Sequence, residues 1–329
     1  MAAAPELSAE LLSAPASHAV RAIAAARLAD VRDALGRLSS GDDETLHALR
    51  VALRRLRTWL RAYRPQLEDT VKKKAYRRLT GIADATGSAR DAEVALDWIT
   101  AMHDLAPREK PGARYAAELL RAEGERARAA ARKAVGADLP DVLETLEKQL
   151  GSYWLRHRLA TPQRVPGMAA VSRHVLEQHA DRFGQALRRI KGSSDIRGVH
   201  RARIAAKRLR YLLETLDPGS GADKLVAGLS DLQDMLGVAH DGNRVTEHLL
   251  GIVGATAKLD ARWAVSPEVA AQAAAAPRFS RVRPGLVALA DRAEQGGRSG
   301  FDAFRRHWRK RQLSSAVNSV KSVARSLGD

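Results

Sequence analysis

The chain has 329 residues, with 55 Lys and Arg against 38 Asp and Glu, a formal net charge of +17 and no Cys. The absence of Cys excludes a disulfide framework, a thiol nucleophile and Cys-ligated zinc or iron–sulfur sites, and the longest apolar stretches are broken by Arg or Asp well before the roughly 18–20 residues of a membrane span. The N-terminal segment carries acids where a signal peptide has its basic end, so a cytoplasmic protein without a membrane anchor is expected, and the surplus of positive charge demands a polyanionic partner.

The elements read from the sequence are helical throughout. Sixty-one residues are Ala, the strongest helix former, and Leu, Arg and Glu supply much of the rest. Candidate helices run over roughly 16–38, 43–64, 67–87, 91–105, 112–136, 139–159, 168–191, 195–216, 221–237, 241–256, 262–275, 280–296 and 298–326. No run alternates β-branched with polar residues, so the fold class is all-α. Gly87 and Gly237 are expected to close one helix each, with Asp91 and Asp241 capping the next.

A repeat organises these elements. His47-Ala-Leu-Arg50-Val-Ala-Leu-Arg54-Arg55-Leu-Arg57 recurs as His200-Arg-Ala-Arg203-Ile-Ala-Ala-Lys207-Arg208-Leu-Arg210, at an offset of 153 residues. The segment from Thr86 to Val94 matches Leu236 to Val245 and sets Arg90-Asp91 over His240-Asp241. A weaker match puts Trp154 and Arg156 over Trp308 and Lys310. The chain therefore reads as two homologous helical bundles, residues 14–160 and 166–326, joined near Thr161–Gly167. Duplicated bundles of this kind often pack about a pseudo-two-fold axis.

On a helix, His47, Arg50, Arg54, Arg57 and Arg61 share one face, and Leu46, Leu49, Leu53, Leu56 and Leu60 share a face roughly 90° away. The second copy repeats this with His200, Arg203, Lys207 and Arg210 beside Val199, Ala202, Ala206, Leu209 and Leu213. Like charges four residues apart repel. Yet Arg50–Arg78 holds eleven Lys or Arg and two acids, and Arg197–Arg210 holds six and none. Taken singly, each arginine reads as a solvated side chain. Taken as two matched rows, they read as a lining for a phosphate-rich anion, which guanidinium forks grip in two-point fashion.

His47 and His200 follow Asp42-Asp43 and Asp195, candidate N-caps, and so fall in the first turns of their helices, where anions are favoured. Each reads as a phosphate donor or as a capping or interhelix-bonded histidine. Arg90 is expected to point to the same basic face. Lys72–Lys74 with Arg77 and Arg78, and Arg305 to Arg311, are candidate rims. No metal-ligand pattern, nucleotide-phosphate loop or nucleophile elbow is present, so no metal, cofactor or catalytic residue is expected. Aromatics make up 4% of the chain, too few for many base-stacking platforms. Binding to a nucleic-acid backbone stays open as the alternative, and an enzyme acting on phosphate chains as a third reading.

At the H-x-x-R-x-x-x-[RK]-R-L-R repeat the sequence resembles the CHAD family, the conserved histidine α-helical domain. The resemblance rests on HALRVALRRLRTWLRAY with GSARDAEV, and on HRARIAAKRLRYLLETL with LQDMLGVAHDGNRV. It implies two helical bundles related by pseudo-two-fold symmetry around a basic surface or pore. It also implies non-enzymatic binding of inorganic polyphosphate, with association with polyphosphate granules. The residues it implicates are His47, Arg50, Arg54, Arg55 and Arg57, and His200, Arg203, Lys207, Arg208 and Arg210. His240 in place of Arg90 is a departure from the first half. No E-x-E-x-K signature of the triphosphate tunnel domain carried by some relatives occurs, so the hydrolase activity of that domain is not implied.

Overall fold

The structure is a computed structural model that describes residues 6–38, 43–157, 166–265 and 279–327. The described residues form eleven α-helices: α1 (Ala9–Ser13), α2 (Ala16–Arg37), α3 (Asp43–Ala62), α4 (Arg64–Leu67), α5 (Lys73–Thr100), α6 (Lys110–His157), α7 (Met168–Arg188), α8 (Ile196–Leu213), α9 (Ala222–Val265), α10 (Phe279–His307) and α11 (Lys310–Ser326). The all-α expectation holds. Asp42, the joint at 161–165 and most of the helix expected over 262–275 lie outside the described residues.

Several expected breaks are absent. Helices α5 and α9 run through Gly87 and Gly237 and through Asp91 and Asp241, so neither glycine is a C-cap and neither aspartate an N-cap. Among the described residues the one glycine with positive φ is Gly221, just before α9. Glycine in a helix interior costs only about 1 kcal/mol against Ala, which flanking helical sequence readily offsets. Helix α6 likewise passes through Pro140. The match of Trp154 with Trp308 is not structural: Trp154 ends the long α6, whereas Trp308 sits between α10 and α11 with a whole helix still to come.

The helix neighbours repeat. Helix α2 packs on α3 and on α6, and α5 packs on α3 and α6; likewise α7 packs on α8 and α11, and α9 packs on α8 and α10. The main contacts between the halves join equivalent helices, α2 to α7, α3 to α8, α5 to α9 and α6 to α10. That is the pattern a two-fold relation produces.

Two apolar cores follow, each fed by both halves. The larger takes the Leu faces of α3 and α8 together with α2, α7 and the C-terminal part of α6. Every predicted apolar-stripe residue of α3 and α8 is buried. Trp59 anchors α3 to α2 by donating its Nε1–H to the Val20 carbonyl at 2.9 Å. The smaller core joins the C-terminal end of α5 and the middle of α9 to α6 and α10. There α6 and α10 approach so closely that a Cβ on Gly112 or Gly285 would collide with the facing backbone. Across the halves, Tyr63 Oη lies 3.2 Å from Ser172 Oγ. The N-terminal segment straps the second half: Leu7 N–H donates to Thr215 O at 2.6 Å, and Ala16 and Met168 exchange backbone bonds with Pro166 and Ala14.

Candidate functional site

Helices α3 and α8 meet with their basic rows adjacent because their leucine faces are drawn into one core, leaving the flank 90° away at its edge. Asp195 caps α8, accepting from Gly198 N–H at 2.9 Å, and this fixes the helix start four residues before His200.

Arg54 and Lys207, equivalent in the repeat, come together at this contact. The Lys207 ammonium is pushed down to about 7, first by burial and then by Arg203, Arg54 and Arg210, against a weaker pull from Asp241. Arg54 donates to Tyr211 Oη at 3.4 Å across the halves. The Arg203 Nε is buried without a hydrogen-bond partner, as is His240 Nδ1. A buried donor left unpaired costs about 1–3 kcal/mol, so the Arg203 Nε–H favours an acceptor brought from outside.

The outer turns of the rows carry the histidines. His47 is held below the usual imidazole range by burial and by Arg50, Arg54 and Arg90, with Glu93 opposing. Arg90 of α5 thus joins the first row, as its sequence position suggested, while pairing with Glu93 at 3.7 Å. In the second half, the His200 and His240 rings stand 5.0 Å apart. His240 is pushed down to about 3 by burial, Arg203, His200, Arg244 and Lys207, so it is neutral near pH 7. His47 and His200 are exposed in their rows, whereas His240 is buried.

The other predicted residues divide between two junctions of α3 with α8. Arg55 turns to Glu214, Nη2 to Oε2 at 2.9 Å. Arg210 reaches the same carboxylate at 3.4 Å and donates to Ser230 Oγ at 3.2 Å. Arg57 is held by Asp84 at 3.0 Å, while Arg61 is exposed near Arg208. Of the rims, Arg78 pairs with Asp138 and Asp141, and Lys72–Lys74 and Arg305, Arg306, Arg309, Lys310 and Arg311 are exposed.

Sequence reasoning did not assign Asp241, Arg244, Tyr211 or Glu214 to this surface. Asp241 was readable, since Lys207 and Asp241 are the charged partners that α8 and α9 bring face to face; the capping expectation hid it. Arg244, one turn beyond His240, follows from the same helical face once α9 is seen to be continuous.

The family model described as CHAD domain matches residues 22–250. A crystal structure of the CHAD domain from the plant Ricinus communis matches with a TM-score of 0.61 at 23% identity, covering 84% of this chain and 93% of that one. PptA from Streptomyces chartreusis matches with a TM-score of 0.61 at 16% identity, covering 90% of this chain and 100% of that one. At these identities both likenesses speak for the fold. No curated protein matches.

Proposed function

The chain belongs to the CHAD domain family, and from that premise we propose that it binds inorganic polyphosphate on the basic surface where α3 and α8 meet, as a non-enzymatic protein of the cytoplasm or of polyphosphate granules. One observation carries the reading: Arg54 and Lys207, from the two copies of the repeat, share one site with Arg203 and Arg210 around them. A chain with negative charge on every phosphoryl group relieves their mutual repulsion all along its length, which a single small anion does not. The guanidinium forks give two-point contacts to phosphoryl oxygens, and the exposed His47 and His200 add donors at the ends of the rows. The nearby acids Asp241 and Glu93 already face cations, Lys207 in one case and Arg90 and Arg128 in the other.

The test is binding of long-chain polyphosphate across a salt series. Replacing Arg50, Arg54, Arg203 and Lys207 together with Ala is expected to weaken binding by about a hundred-fold at moderate salt and to flatten the salt dependence. Their side chains leave the leucine faces untouched, so the circular dichroism spectrum is expected to stay helical. Unchanged affinity would refute the assignment. Displacement of bound polyphosphate by duplex DNA or RNA at equal phosphate concentration would favour the nucleic-acid backbone instead.

A further inference from the structure

The 153-residue offset that sets Arg54 over Lys207 also sets Arg55 over Arg208 and Arg61 over Glu214. The two junctions between α3 and α8 are therefore equivalent in position, and their chemistry is opposite. At the first, the Glu214 carboxylate holds Arg55 at 2.9 Å and Arg210 at 3.4 Å. Arg27 of α2 stands beside this pair, 1% exposed, with both Nη atoms lacking a hydrogen-bond partner. At the second, Arg208 faces Arg61, with Arg57 and Arg182 close and Tyr76 of α5 alongside. The buried His179 of α7 lies beneath, next to Arg182, Arg208 and Arg61. Among the described residues the one acid paired into this group is Asp84, which is taken by Arg57. Arg61 and Arg208 have no hydrogen bond or ion pair there. Arg182 donates to Gln178 Oε1 of its own helix at 3.5 Å. Three guanidinium groups from three helices thus stand together with no carboxylate of their own among the described residues, in the place where the sister junction keeps one.

We propose that Arg61, Arg182 and Arg208 form an anion site for a phosphoryl group, and that Glu214 occupies the equivalent site at the other junction as a built-in anion. The site lies one to two turns along α3 from Arg54, so, resting on the polyphosphate reading, it takes a further phosphoryl group of the same chain on one side only. Neither Arg182 nor Glu214 is required by that reading.

The test uses sulfate as the local probe and long-chain polyphosphate as the chain. In the fourfold Ala variant at Arg50, Arg54, Arg203 and Lys207, sulfate is expected still to raise the melting temperature. Adding Arg208→Ala or Arg61→Glu, the latter copying the sister junction, is expected to abolish that rise, and adding Arg55→Ala to leave it. In the parent background, Arg208→Ala is expected to weaken polyphosphate binding by roughly ten-fold and to lower the salt slope by about one, with a clearly smaller loss for Arg55→Ala. Glu214→Gln is expected to tighten binding. A sulfate response that ignores Arg208, or equal losses for Arg55→Ala and Arg208→Ala, would overturn the site. If sulfate stabilisation tracks Arg208 and polyphosphate does not bind the parent, the anion site stands and the polyphosphate reading falls.

Discussion

The two junctions of α3 with α8 share a backbone plan and differ in the sign of the charge at one position. Where the second copy supplies Glu214, the first supplies Arg61. The carboxylate draws Arg55 and Arg210 inward; the arginine leaves Arg208 facing cations. Duplication thus provides a frame in which function is divided by side chain, with the leucine faces unchanged. One junction is a structural tie between the halves, and the other keeps its charge available.

The largest separation between them is expected in stability. Glu214→Ala removes the carboxylate that holds Arg55 and Arg210, leaves Asp30 as the acid beside Arg55 and the buried Arg27, and should cost about 2–3 kcal/mol. Arg61→Ala at the equivalent position removes only like-charge repulsion and should change stability by less than about 0.5 kcal/mol. Urea midpoints of the two variants decide this, and equal losses would mean that charge is not what separates the junctions.

The two rows can be compared at Lys207 and its counterpart Arg54. A Lys whose folded value is about 7 against an ordinary 10.5 holds fewer protons folded than unfolded between those values. Stability therefore rises with pH across that window. Lys207→Met should flatten the rise. A bound polyanion favours the ammonium form, so polyphosphate affinity should fall several-fold from pH 6.5 to 8.5 in the parent. Lys207→Arg, which makes the second row match the first, should remove that fall. An identical pH profile in parent and Lys207→Arg would show that another group titrates.

Arg27 has no guanidinium counterpart in the second half, where the offset lands on Ala180. Arg27→Met keeps the bulk and removes a buried, unsatisfied charge, so a gain of about 1 kcal/mol is expected in thermal denaturation. A loss of that size would show that the guanidinium is tied by bonds of its own.

The smallest contrast is Tyr211 against Thr58. Thr58 donates to its own helix at Arg54 O, 2.8 Å away, whereas Tyr211 accepts from Arg54 across the halves at 3.4 Å. Tyr211→Phe should cost a few tenths of a kcal/mol by calorimetry, given so long a bond.

How much of this was legible before the structure depends on the distance over which each feature is decided. The rows of α3 and α8 are local: spacing of 3 and 4 places His47 to Arg61 on one face whatever lies around them. Helix ends are less local. Gly87 and Asp91 carry the chemistry of a stop and a start, and the packing of α5 along α6 overrides both. The repeat revealed the equivalence of Arg55 with Arg208. It could not reveal that one meets Glu214 and the other Arg61, because that depends on how two helices from different halves approach. Arg27 was hidden for the same reason: on α2 it reads as a solvated arginine until α3 packs on that helix and Glu214 comes beside it.

The strap that pins Leu7 to Thr215 bears on the order of assembly. On a ribosome the chain emerges from its N-terminus, and this early segment must wait for a partner roughly 200 residues later, a separation that slows closure. Helix α2 can meet α3 while synthesis continues, but their shared core with α7 and α8 stays open until Leu213 has left the tunnel. During that interval the leucine face of α3 is exposed, with its row of arginines beside it. Repulsion along that row disfavours contact between two such exposed leucine faces during the interval.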